Sequence, residues 1–164
     1  MSHFVRSLVA MALLVVFTGC AATPAARTSP FAGYPFRHAD FDFKVAWKTS
    51  PSGSGISVDG ILKNVRYYQV GDVQLWVKVL NKANKVLAEE STLFMPLPLE
   101  MDDYRPFSVT LQNVALAPGD MLNFVIMYRV IDDRRSSFNW LSSFTVDAMT
   151  GAAPVKEGAN PDDW

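Results

Sequence analysis

Hydrophobic and polar residues change their rhythm twice along the chain. Residues Ser7 to Phe17 are a nearly unbroken apolar run. From Asp40 onward the period is two, the alternation expected of half-buried strands. Phe41, Phe43, Val45 and Trp47 alternate with Asp42, Lys44, Ala46 and Lys48 and predict a first strand. Pro51 to Gly55 (PSGSG) reads as a loop, and Ile56, Val58, Gly60 and Leu62 as a second strand. Val73, Leu75, Val77 and Val79 predict a third strand, and Asn81 to Lys85 is a polar hairpin turn. A fourth strand runs from Val86 to about Met95 and stops before Pro96 and Pro98. Phe107, Val109 and Leu111 carry the fifth. After the turn Ala117-Pro118-Gly119-Asp120, alternate residues from Leu122 to Val130 carry the sixth. Asp132 to Ser137 is a charged turn, and Phe138 to Val146 is the seventh strand. Seven strands at short spacing with no helical period predict an all-β fold, an antiparallel β-sandwich of Ig-like type.

The apolar run near the start has another meaning. A short basic start with Arg6, then 7–15 apolar residues, then a small-residue exit is the pattern of an export signal. The run is shorter than the roughly 20 apolar residues of a membrane span. The segment ends in Phe17-Thr18-Gly19-Cys20, which holds the only cysteine of the chain. This tetrad resembles the lipobox of bacterial lipoproteins, with Phe17 where that family prefers Leu. The resemblance implies cleavage before Cys20 and acylation of its sulfur, so Cys20 is the expected lipid attachment site. Each buried lipid methylene contributes about 0.8 kcal/mol, and stable anchoring takes more than one chain. Ala21 stands where the family carries Asp for inner-membrane retention, so the resemblance favours an outer membrane, facing the periplasm, in a Gram-negative host.

The expected organisation is then a signal peptide over 1–19, a lipidated tether over 20–38, the sandwich over 39–148 and a tail over 149–164. The tether (AATPAARTSPFAGYPFRH from residue 21) is rich in Ala, Pro and Thr. Its Phe31, Tyr34 and Phe36 suit docking on the domain. The tail is rich in Ala, Gly, Pro and Asp.

A second resemblance covers roughly residues 56–130. Val73 to Leu87 contains VQLWVKVLNKANKVL, which resembles the central hairpin of the small Ig-like domains named FxLYD. Val114 to Phe124 (VALAPGDMLNF) and the strand end Ile61-Leu62-Lys63-Asn64 resemble further signatures of that family. Here Asn84 replaces the usual turn Gly and Trp76 a common Tyr. The resemblance implies the fold and says little about activity.

Composition narrows the chemistry. With 15 Lys+Arg against 16 Asp+Glu, the net charge of -1 gives no long-range attraction to nucleic acid. One cysteine excludes an internal disulfide and every Cys-based zinc framework. The mean hydropathy of +0.11 owes its positive sign to the apolar leader. After the leader, His38 is the sole histidine, and no nucleophile elbow, phosphate loop or H-E-x-x-H is present. No catalytic residues, cofactor or metal site are therefore expected, and the chain is read as a non-enzyme. Asp102-Asp103 and Asp132-Asp133 read as solvated hairpin tips rather than calcium ligands. Met95, Met101, Met121, Met127 and Met149 read as core filling rather than copper ligands.

One face stands out. If the third and sixth strands are neighbours, Trp76, Val125 and Met127 gather on the outside of their sheet, a possible partner surface. A covering by the Phe31–Phe36 segment or the tail is the competing expectation, as is a bulge that exchanges the faces. The expected role is a binding or structural module of a cell-envelope assembly, tethered to the membrane and meeting an envelope protein. The alternative is a carrier of a small ligand or metal in the periplasm.

Overall fold

The computed structural model describes residues 29–94, 97–131 and 137–153. Eight antiparallel strands follow in order: β1 (Phe36–Ala39), β2 (Phe43–Ser52), β3 (Gly55–Asn64), β4 (Gln69–Leu80), β5 (Val86–Phe94), β6 (Tyr104–Leu111), β7 (Met121–Ile131) and β8 (Ser137–Asp147). They form two four-stranded sheets of order β1-β2-β3-β6 and β5-β4-β7-β8. The fold is the all-β sandwich that the alternation predicts. The second sheet has the order of an Ig C′-C-F-G sheet, and β2-β3-β6 take the places of A, B and E. Strand D is replaced by a direct crossover from β5 to β6, and β1 is added outside A. No helix occurs among the described residues, hence none able to cross a membrane.

The alternating positions meet between the sheets. Trp47 and Phe43 of β2, Leu62 of β3, Leu75 of β4 and Phe124 and Ile126 of β7 are fully buried. Each such side chain contributes about 1.5–3 kcal/mol on burial. The aromatic part of the core is layered: Trp47 lies 4.9 Å from Phe124, which stacks on Phe144 at 4.7 Å. His38 stacks on the other side of Phe144 at 3.8 Å. The sole histidine after the leader is thus a packing group on β1.

Four departures from the expected pattern have local causes. Phe41 does not belong to a strand. The Asp40 carboxylate accepts the amides of Asp42 and Phe43, closing a turn that turns Phe41 outward. Asn and Asp side chains favour turns through such bonds. β4 begins four residues before Val73, because one extra residue between Gly71 and Gln74 shifts its register against β7. This bulge puts both Val70 and Val73 in the core and hides the alternation. β1 lies inside the stretch expected as tether. Phe31 packs edge-on against Tyr104 and Phe36 lies against Trp47, so this segment is tied to the first sheet. Finally, the described methionines do not fill the core. Met101 and Met149 are exposed, and Met121 and Met127 occupy outward, half-buried positions of β7.

Gly60 is required by packing rather than by a turn. It pairs with Phe107 across β3 and β6. A Cβ there would lie 2.3 Å from the Phe107 ring and 2.5 Å from the Ala46 carbonyl oxygen.

Candidate functional site

β4 and β7 are neighbours, and their register brings Trp76 opposite Val125 and Gln74 opposite Met127. The three residues expected to gather on one face therefore do so. The pairings extend the face to both edges of the sheet. Gln74 also pairs with Leu93 of β5, and Met127 with Leu141 of β8. One row across the sheet thus reads Leu93, Gln74, Met127, Leu141, and the next reads Ser91, Trp76, Val125, Ser143. Leu93 is 54% and Leu141 61% exposed. Sequence inspection missed these two because each sits on an edge strand with apolar residues on both faces.

Charge pairs border this band. On one side the Lys78 Nζ lies 3.0 Å from a Glu89 carboxylate oxygen. On the other the Arg129 Nε lies 2.6 Å from Asp72 Oδ2, across the bulge. Both borders are balanced in charge. The segment from Phe31 to Phe36 packs on the first sheet, and Gly151 of the tail abuts Phe36 there. Phe31, Phe36 and Gly151 therefore lie on the first sheet, away from the band. Trp76 is half-buried, and its indole N–H is buried with no hydrogen-bond partner among the described residues.

Other residues singled out from the sequence have structural places. Asp102 adopts a left-handed φ of 67° and pairs with Lys63 at 2.5 Å, which raises the Lys63 pKa. The Asp103 carboxylate accepts the Glu100 amide. Asp132-Asp133, Met95 and Cys20 lie outside the described residues. Among the described residues no group of three His, Cys, Asp or Glu side chains is placed to hold a metal.

The end of the sandwich near the β1–β2 and β3–β4 turns holds an unforeseen feature. Asn64, at the end of β3, is fully buried. Its amide donates to the carbonyls of Tyr68 and Leu99 at 2.9 and 3.1 Å, and its side-chain oxygen accepts the Arg66 amide at 2.9 Å. A single Asn in a strand-end motif gives no hint of the long-range bonds it makes. Asn64 fixes the β3–β4 loop, which carries Arg66 and Tyr68 to the rim of a cleft of about 310 Å³. The cleft is also lined by Phe41, Asp42, Tyr128 and Trp140. Tyr128 and Asp42 share this lining, and burial first, then the neighbouring Asp42 carboxylate, raises the Tyr128 phenol well above the usual range.

Comparison with known proteins identifies no family. No family model and no curated protein matches the chain. Among solved structures it is similar to a Bordetella pertussis protein named as ApaA, at 12% identity and a TM-score of 0.42. That match covers 74% of this chain and 100% of the other. It is also similar to a β-glucuronidase of glycoside hydrolase family 2, at 13% identity and a TM-score of 0.35. A family 2 glycosyl hydrolase from Bacteroides cellulosilyticus matches at 15% identity and a TM-score of 0.33. The matches cover 61% and 60% of this chain and only 11% and 14% of those hydrolases.

Proposed function

We propose that the chain is an exported lipoprotein, anchored through Cys20, whose sandwich serves as a non-enzymatic binding module of a cell-envelope assembly. The observation that carries the binding role is the apolar band of Leu93, Trp76, Val125, Met127 and Leu141 across the second sheet. Leu93 and Leu141 are exposed at the two edges, and Trp76, Val125 and Met127 are half-buried between them; an apolar surface bordered by polar residues is typical of interaction sites. The occupant is a protein rather than a lipid headgroup. An anionic membrane surface attracts an excess of Lys and Arg, whereas each border of this band carries one cation matched by one carboxylate. The Lys78–Glu89 and Arg129–Asp72 pairs are exposed and of small worth to the fold. They suit the polar rim of an interface, where charge sets register and partner choice.

The anchor supports the same reading. The lipobox-like tetrad follows directly on the apolar leader, and a lipid raises the local concentration of the module at a membrane, so a modest contact suffices. Metabolic labelling with an alkyne palmitate, followed by fractionation, tests it. Wild type is expected to be labelled and membrane-bound, and Cys20→Ser to lose both label and processing. A Cys20→Ser chain that is processed normally and stays with the membrane overturns the anchor.

A further inference from the structure

The cleft at the β3–β4 end is independent of the sheet face, and we infer that it binds an uncharged saccharide. Two of its aromatic walls are exposed. Phe41 is 75% and Trp140 55% exposed, and both line the cleft. Tyr68, Tyr128 and Phe138 complete an aromatic lining that comes from β7, β8 and two turns. Aromatic rings left this open at the mouth of a cleft suit a ligand with a flat C–H face. The volume falls at the small end of ligand pockets, about 300–1,000 Å³.

Polar groups converge between these rings. The Arg66 guanidinium lies over the Phe41 ring at 3.8 Å, and its Nε is 3.5 Å from Asp42 Oδ1. Asp42 and Tyr128 line the same cleft. A carboxylate has about four acceptor sites and a guanidinium five donors, so both retain capacity beyond these bonds. Because the two charges neutralise each other, the cleft offers no net attraction to an anion or a cation. What it offers is adjacent donors and acceptors beside flat apolar rings. A pyranose supplies the counterpart, with an apolar C–H face and a rim of hydroxyls that both donate and accept. A proline-rich peptide also fits aromatic grooves, but its prolines have no N–H to give to Asp42.

The probe is an array of neutral hexose and N-acetylhexosamine oligosaccharides, with matching monosaccharides, applied to the full chain in detergent. Hits are titrated by tryptophan fluorescence and by calorimetry. Trp140→Ala and Phe41→Ala are each expected to weaken binding at least tenfold. Asp42→Asn is expected to do the same, while Thr110→Ala on the first sheet leaves it unchanged. Phe41 and Trp140 are exposed, so their variants keep the wild-type unfolding midpoint. Preference for oligomer over monomer assigns the site to a glycan chain, and equal affinity assigns it to a free sugar. Lack of binding to every saccharide overturns the inference, as does binding that survives both aromatic variants. Displacement of a bound saccharide is expected from free sugar and not from a proline-rich peptide; tighter binding of the peptide overturns it too. None of these results bears on the band of the second sheet, where Met127→Asp is read separately.

Discussion

Replacing Asn64 by Ala removes the side chain that ties three segments together. The amide donates to Tyr68 and Leu99, and the oxygen accepts from Arg66. The Leu99 carbonyl keeps a second partner, the Val70 amide at 3.0 Å. The Tyr68 carbonyl and the Arg66 amide lose their Asn64 bonds. A buried polar group left without a partner costs about 1–3 kcal/mol. These two are only partly buried, so water reaches them and the sum comes to about 2–4 kcal/mol. For a chain of this size the melting point falls about 2–4 °C per kcal/mol, giving a drop of roughly 5–15 °C. Thermal and urea unfolding followed by circular dichroism measure it. Hydrogen exchange should also speed up at residues 65–68 and 97–103. Asn64→Asp separates hydrogen bonding from volume. It faces a carboxylate toward two carbonyl oxygens, which raises its folded-state pKa above the ordinary value of about 4. Stability is then retained in acid and lost as pH rises through the raised pKa. A stability loss under about 1 kcal/mol for Asn64→Ala, with unchanged exchange in both segments, refutes this role.

Met127→Asp is expected to abolish partner association while changing stability by no more than about 1 kcal/mol, by unfolding and co-purification; a large stability loss marks the band as internally packed instead. Gly60→Ala forces the Phe107 ring and the Ala46 carbonyl apart and should cost about 1–3 kcal/mol in urea unfolding, as overpacked cores do. The raised Tyr128 pKa gives a pH dependence with a definite sign. Tyrosines of the unfolded chain ionise near about pH 10, while buried Tyr128 stays protonated, so stability falls as pH rises past that point. Tyr128→Phe should flatten this alkaline limb, and an unchanged limb removes Tyr128 as its source.

Most strands are legible as alternation because one face of each meets the core. Val45 and Trp47, Val58 and Leu62, and Phe124 and Ile126 all point inward as their spacing requires. The reading weakens where backbone detail decides. Asp40 closes a turn that expels Phe41, and the bulge at Gly71–Gln74 breaks the period of β4. β1 is short and adjoins Pro- and Gly-rich sequence, so four strand residues carry too little pattern to separate them from a linker. Asn84, standing for the usual turn Gly, does adopt the left-handed φ of 57° that the turn needs. The face of Trp76, Val125 and Met127 is legible from strand parity together with the Ig pairing of the third and sixth strands, which the β4–β7 register supplies. Leu93 and Leu141 join it only through pairing registers. The cleft is wholly tertiary, since Phe41, Arg66 and Trp140 are far apart in the chain and are placed separately by the Asp40 turn, by Asn64 and by the β7–β8 pairing.

The claim that the second sheet presents a protein-binding face is tested most directly by a photo-crosslinking residue at position 127, with one at position 110 on the first sheet as comparison. Intact membranes of the producing cells are irradiated, and adducts are identified by mass spectrometry. A discrete adduct with one envelope protein is expected from position 127, absent from position 110 and lost on Cys20→Ser. No adduct from position 127, or the same adducts from both positions, contradicts it.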